Sequence, residues 1–479
     1  MGNDVVTQHY NNSRTGWNAN ETALTVANVR PHLRRLFTLP VDGQLYAQSL
    51  YVQGLAIPGK GTHNVVFVTS EGDSVYAFDA DVAGAAIWHR TLVPAGESTV
   101  ATADLAKCDN VGPKIGITST PVIDRTTNLL YVVTKTKSSA GGVSSYHQRL
   151  HTLDLATGTD KPGSPVEIAA SIAGSGDGHD NTGHIHFNPL WQLNRPGLLL
   201  TQGAVYLAFG AHCDFGPYHG WILKYDVATL QPLGVFNTTP DLDPNTQVFR
   251  GRGGGIWQGG IGLAASNNGH IYLLVGNGPF DANTGGRDYG NTVLRLNPDL
   301  TIADSFTPYN QDGLNQHDTD LGSGGAMLLP PQPGAHTSLL VACGKEGTIY
   351  LVDRLNMGKY NGPNGPDRVV QSLHKAVGGI WGGPAYYHGP TGPFVYYCGT
   401  GDHLKAFALN NDKLSPATQT ARTFSHRNRK ASRLPASILT CYPDGADLLA
   451  CLRFRGGHHP CRLLQCRRGR HRNRLGHRA

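Results

Sequence analysis

The chain has 479 residues, of which 61 are Gly, 29 are Pro and only 15% are charged, a composition that suits one large domain of many short strands joined by turns. No run of about 18 consecutive apolar residues is present to span a membrane, and the start MGNDVVTQHY has neither the basic nor the apolar region of a signal peptide. The formal charge of +6 is concentrated at one end: residues 427–479 hold 13 Lys and Arg against Asp444 and Asp447, leaving 27 basic and 32 acidic residues in the mildly acidic body.

A short apolar strand ending in an acidic or amide residue recurs six times along the chain: VYAFDAD (75–81), LHTLDLA (150–156), ILKYDVA (222–228), VLRLNPD (293–299), IYLVDRL (349–355) and LKAFALN (404–410). The matching position holds Asp79, Asp154, Asp226, Asn297 and Asp353, and in the last copy Ala408. The apolar runs are short, rich in Val, Ile, Leu, Tyr and Phe, and broken by Gly, Asn and Asp, which is strand periodicity. Gly-rich segments (ITSTPVI at 117–123, GGIGLAA at 259–265, GGAMLLP at 324–330, GGPAYYH at 382–388) precede two stronger strands such as LLYVVT at 129–134. Four antiparallel strands repeated around an axis make an all-β propeller, in which Gly lets the crowded inner strands approach. The repeat carboxylates are expected to close turns by accepting backbone N–H bonds, and Trp88 to pack between neighbouring blades.

The strand rhythm stops near His426. The segment 427–479 has one Lys, four Cys and no Val, a composition that speaks against a nucleic-acid-binding arm despite its Arg content. Reading plausible codons for CRLLQCRRGRHRNRLGHRA one base later gives AAYSNAAGVATEIDWATG, another blade-like string, so we read 427–479 as a frameshifted or disordered tail and 1–426 as the propeller. The cluster of His458, His459, Cys461 and Cys466 is then accidental.

Long connections gather on one side of each unit: 94–116, 174–186, 211–220, 239–256, 277–291 and 307–323. The opposite connections are brief turns such as SNNG. Function is expected on the long-loop face, where loops carry sites on a rigid scaffold. Cys108 and Cys213 both lie in that set and are a disulfide candidate, whereas Cys343 and Cys398 lie in apolar strands as core thiols. In the loop GSGDGHDNTGHIH (174–186), His179, His184 and His186 are candidate metal ligands.

The repeat VYAFDADVAGAAIWHRTL, with GITSTPVIDRTTNLLYVV, KEGTIYLVDRLNMG and GDHLKAFAL, resembles the pyrroloquinoline quinone (PQQ)-like propeller repeat of quinoprotein alcohol dehydrogenases over about residues 4–425. The resemblance implies seven or eight blades, six of them readable here, an opening segment whose strand at 33–40 closes the ring, and an extracytoplasmic (periplasmic or secreted) location. A quinone cofactor needs an aromatic plane, a cationic or amide group at its carbonyls, a hard cation such as Ca²⁺ with oxygen ligands, and a carboxylate base. The residue types are present: Trp257 or Trp381 as the plane, Arg252 or Lys345 as the cation, and Asn277, Asp281 and Asp320 as oxygen ligands. The chain departs from those dehydrogenases in having no adjacent Cys pair and no CxxCH haem site. The reading is thus a scaffold that binds a protein or small-molecule ligand on its loop-rich face, with PQQ-dependent oxidation of an alcohol or sugar as the alternative enzyme reading and nucleic-acid binding through the tail as a third. Resequencing the gene through codon 426 tests the tail: we expect a single-base frame change that restores the strand pattern, and an unaltered frame ends that reading.

Overall fold

The computed structural model describes residues 4–21, 24–25, 28, 33–241, 253–423, 450–452 and 462–466. Among the described residues, six antiparallel sheets of four principal strands follow one another along the chain as propeller blades. Blade one is Leu50–Ile57, Gly61–Ser70, Ser74–Asp79 and Trp88–Thr91. Blade two is built on the long hairpin Leu129–Ala140 and Val143–Asp154, flanked by Val122–Asp124 and Val166–Glu167. Blade three comprises Leu199–Thr201, Ala204–Ala211, Trp221–Asp226 and Pro232–Asn237. Blade four comprises Ala264–Ala265, Ile271–Leu274, Val293–Leu296 and Ile302–Phe306. Blade five is Met327–Leu328, Leu339–Cys343, Ile349–Asp353 and Gln371–Leu373, and blade six is Ala385–Gly389, Gly392–Cys398, His403–Asn410 and Thr418–Thr423.

Alternation along each central strand sends successive side chains into two different cores. Leu130 and Val132 pack toward blade one, while Tyr131 and Val133 pack toward blade three. Ile271 and Leu273 join the layer shared with blade three, and Tyr272 and Leu274 the layer shared with blade five. Both faces of each blade are therefore apolar, which is why these strands read as continuous hydrophobic runs. Trp88 fills the first of these layers, its indole N–H donating to Leu155 O at 2.9 Å. On the side of blade one away from blade two, among the described residues, Phe37, Leu39 and Val41 cover the apolar face.

The repeat carboxylates close turns. Asp226 Oδ1 accepts from Ala228 N (3.0 Å) and Thr229 N (2.8 Å), Asp154 Oδ1 from Ala156 N and Thr157 N (both 3.1 Å), and Asp353 Oδ1 from Leu355 N (2.9 Å). The long loops hold more order than their composition predicts. Glu97–Ala101, in the segment 94–116, pairs with the outer half of the blade-two hairpin, anchored by a two-pronged Arg149–Glu97 ion pair with both bonds at 2.8 Å. Residues Leu33–Arg34, expected to help close the ring, run antiparallel to Arg462–Cys466, which pairs with Ala450–Leu452. The rest of 427–479 lies outside the described residues.

Under the blades runs the N-terminal segment, which bonds to all six of them. Val5 exchanges backbone bonds with Tyr51 of blade one (2.8 and 2.9 Å), and Ile123 N of blade two donates to Val6 O (2.8 Å). Asn12 Nδ2 donates to Leu200 O of blade three (2.8 Å), and Ala265 N of blade four donates to Asn12 O (2.7 Å). Leu328 N of blade five reaches Ser13 O (2.9 Å), and Tyr386 N of blade six reaches Thr15 O (2.8 Å). Arg14, fully buried, donates from Nε to Leu263 O (2.9 Å), from Nη1 to Thr7 Oγ1 and Gln8 O (both 2.8 Å), and from Nη2 to Leu198 O (3.3 Å). Burial lowers its pKa to about 9, which leaves it charged at neutral pH.

His9 belongs to the same hub, with a left-handed backbone (φ 53°) and a bond from Nδ1 to Arg14 O at 3.2 Å. Burial, reinforced by the Arg14 charge, lowers its pKa from 6.5 to about 4. The unfolded chain therefore takes up this proton first as pH falls, so stability present above pH 6.5 is lost between pH 6.5 and 4, by on the order of 3 kcal/mol. In urea unfolding across that window, His9→Asn, which tolerates the left-handed backbone, should flatten the slope; an unchanged slope would show that the histidine is not its source.

Candidate functional site

The second strands of the blades run toward the loop-rich face, and polar residues stand near those ends: Glu71 in blade one, Lys135 within Leu129–Ala140 in blade two, His212 in blade three, Asn277 in blade four, Lys345 in blade five and Thr400 in blade six. Sequence reasoning identified two of these, Asn277 and Lys345.

Trp257, Asn277, Asp320 and Lys345 converge between blades three and five. Trp257 lies across three glycines: Cβ atoms built on Gly210, Gly255 and Gly276 would sit 2.2, 2.7 and 2.8 Å from its ring atoms, so only glycine permits this seat. The Gly276 position is flanked on its other side by Asp320 Oδ1, at 3.0 Å from the same virtual Cβ. Tyr218 leans on the indole with ring centroids 5.8 Å apart. Asn277 N donates to Asp320 Oδ1 at 2.7 Å, Asn277 Nδ2 to Asp318 Oδ1 at 3.0 Å, and Asn291 Nδ2 to Asn277 Oδ1 at 3.0 Å.

Lys345 Nζ closes the group, paired with Asp318 Oδ1 at 2.8 Å and in direct contact with Asp320 Oδ2. Burial works against its charge, but the Asp320 and Asp318 carboxylates outweigh burial and hold its pKa above the ordinary lysine value. Burial also pushes the Asp320 carboxyl up, against the pull of Lys345 and of Asn277 N–H. The proton of the pair stays on lysine. The ammonium thus stands where a hard cation would have to sit, and the oxygens of Asp320 and Asn277 are already engaged, so this donor set does not fit a resident Ca²⁺.

The other expected ligands are committed elsewhere. Asp281 Oδ1 accepts from Asp288 N at 2.9 Å in its own loop. His186 Nε2 pairs with Asp180 Oδ2 at 2.7 Å, holding that carboxyl well below the usual range, while His184 Nδ1 meets Thr182 Oγ1 at 3.0 Å and His179 Nδ1 meets Gly176 O at 3.0 Å. Among the described residues no three His, Cys, Asp or Glu side chains form a metal-holding group. Trp381 sits between blades five and six, over Gly379, whose virtual Cβ would be 2.8 Å from its ring. Arg252 lies outside the described residues.

A second buried group, which sequence reasoning missed, lies near the second-strand ends of blades one to three. Lys135 Nζ donates to Leu190 O (2.7 Å) and Gln192 O (3.0 Å) and lies 3.0 Å from His212 Nε2. Glu71 Oε2 accepts from Gly116 N at 2.7 Å and Asp73 Oδ1 from Lys135 N at 3.2 Å. Burial moves Lys135 down to about 7 and Glu71 up to about 7, each toward its neutral form. Glu71 Oε1, Asp73 Oδ2 and His212 Nδ1 are buried with no hydrogen-bond partner. The signal in the sequence was an ionisable residue interrupting an apolar strand end, as in VFVTSEGD and YVVTKTK. Beside His212, Cys213 is joined to Cys108 with Cα atoms 5.9 Å apart, tying the loops of blades two and three together on this face.

No family model and no curated protein sequence matches the chain. Among solved structures, a quinohemoprotein alcohol dehydrogenase from Pseudomonas putida HK5 aligns with TM-score 0.56 and 15% identity over 85% of this chain and 58% of its own. A quinohemoprotein alcohol dehydrogenase from Comamonas testosteroni aligns with TM-score 0.55 and 16% identity over 85% and 58%, and a europium-containing methanol dehydrogenase with 0.53 and 13% over 87% and 72%. The chain thus spans under two thirds of the first two and shares with all three the propeller fold.

The Lys345–Asp320 pair makes a prediction. Lys345→Met strands a buried carboxylate and should cost on the order of 3 kcal/mol in urea unfolding, a loss that adding Asp320→Asn should largely recover. Stability equal to the wild type in the single variant would remove the pair as an anchor of this site.

Proposed function

We propose that this propeller binds a planar ligand bearing carbonyl or carboxylate oxygens, of the quinone class, on its loop-rich face. The observation that carries this reading is the Trp257 ring seated on Gly210, Gly255 and Gly276, with the Lys345 ammonium and the Asp320 carboxylate held at the edge of the same seat. A flat π-system gains by stacking on an indole, and a cation beside it favours ligand oxygens that carry partial or full negative charge. The quinohemoprotein alcohol dehydrogenases that share the fold make PQQ the first ligand to test. The Cys108–Cys213 disulfide supports an oxidising, extracytoplasmic setting.

Oxidation of an alcohol or sugar is the second reading, favoured by Asp320: a buried carboxylate beside the aromatic plane is the residue type that accepts an alcohol proton. When bound, the quinone would supply the electron sink. Trp257 would orient it, and Lys345 would stand at its oxygens. A protein partner on the same face is the outcome left if no quinone binds.

Titrating the purified protein with PQQ, with and without Ca²⁺, and following tryptophan fluorescence and quinone absorbance tests the main reading. We expect saturable binding that survives EDTA and weakens about tenfold or more in Trp257→Ala. No binding, or equal binding by Trp257→Ala, overturns it. Dye reduction with ethanol or glucose on the PQQ-loaded protein separates dehydrogenase from binder.

A further inference from the structure

On the opposite face, a cavity of about 430 Å³ opens between the N-terminal hub and the short turns of blades four and five. Tyr10 and Trp17 line it from the hub, Asn267 from the first turn of blade four, Leu329 and Pro331 from the corresponding turn of blade five, and Arg354 from the end of Ile349–Asp353. This volume is in the range of roughly 300–1,000 Å³ typical of small-molecule sites, and a wall of aromatic and apolar groups with a few polar ones is their usual chemistry.

Arg354 gives the cavity its specificity. Its guanidinium lies 5.8 Å from the centroid of the Tyr272 ring, which positions the group without neutralising it. Its Nε is buried with no hydrogen-bond partner, and no carboxylate pairs with its guanidinium among the described residues. The neighbouring Asp353 is turned to His336, at 2.9 Å. Arg295 Nη1 donates to the Arg354 carbonyl, so a second guanidinium adds to the positive field, and its Nε too is buried without a partner. Trp17 is held edge-on against Tyr386, centroids 5.4 Å apart, which fixes one aromatic wall.

We propose that this cavity binds a small organic anion, with its carboxylate on Arg354 and a planar body against Trp17, Tyr10 and Pro331. Among the described residues, Arg354 is the one charged residue in the cavity lining, and charge-assisted bonds between a carboxylate and a guanidinium are the strong ones. The turns and the hub segment form the whole wall, so the site is independent of the Trp257 seat on the other face.

Calorimetric titration of the full chain with 2-naphthoate and with its neutral counterpart 2-naphthamide tests the assignment. We expect saturable naphthoate binding, weakened about tenfold or more for naphthamide and for Arg354→Gln. Asn267→Trp, at an exposed turn position, should block the cavity and abolish binding while circular dichroism stays native. Trp257→Ala should leave naphthoate affinity unchanged, which separates this site from the quinone seat. The proposal is overturned if naphthoate does not bind, or if it binds Asn267→Trp as tightly as the wild type. Loss of affinity in Trp257→Ala alone would also overturn it, by moving the ligand to the other face. Should Arg354→Gln fail to fold, the Asn267→Trp result decides.

Discussion

The buried guanidinium of Arg14 is the point on which the ring turns. A charge with no carboxylate nearby is expensive to bury, and here four hydrogen bonds from the fork reach the carbonyls of Gln8, Leu198 and Leu263 and the Thr7 hydroxyl instead. Two of those carbonyls belong to the entry segments of blades three and four, so the side chain joins what sequence keeps nearly two hundred residues or more away. The backbone on either side of Arg14 then spends its own carbonyls on blades two, four, five and six. A segment bonded to every blade fixes their angular order in a way that apolar packing between neighbours alone does not. Gly262 is required beside it, since a Cβ there would lie 2.6 Å from Nη2.

Around that hub the blades stack by one repeated device. Side chains alternate between two layers, so each blade supplies half of two cores and no blade can bury its apolar surface alone. The Asx turns at Asp79, Asp154, Asp226 and Asp353 end the third strand of their blades and satisfy backbone donors where the ladder stops. Because these jobs are shared by all blades, the loops between them are free to differ, and the chemistry gathers there.

The loop-rich face then divides into two electrostatic halves. Blades four and five present an ion pair, Lys345 with Asp320, kept charged by mutual attraction. Blades one to three present Glu71, Lys135 and His212, which burial drives toward neutral forms and which leave polar atoms unsatisfied. The Trp257 ring lies where the blade-three and blade-four strand ends meet, seated on Gly210 and Gly276. A planar ligand with oxygen atoms along one edge suits that asymmetry better than a compact cation does.

The amino-acid sequence by itself determined the strands, the turns and the six-fold repetition, because alternation, Gly and Asx placement are local properties readable over a few residues. It also supplied the residue types of the candidate site: Trp257, Asn277, Asp320 and Lys345 were recognisable as an aromatic plane, an amide, a carboxylate and a cation, with Asn277 and Asp320 in the long loops. The paired strings GGIWQGG (254–260) and GGIWGG (378–383) carried a further signal, a glycine two places before each tryptophan that underlies its ring. Only the tertiary structure decided which of these groups meet. Folding of blade five sets Lys345, past its second strand, against Asp320 in its entry loop, while Asp281, His179, His184 and His186 stay bound to their own loops. The tertiary structure also made Arg14 the hub and turned Glu71, Lys135 and His212 into one buried group, since the partners of each come from other blades and no local pattern encodes a contact across the ring.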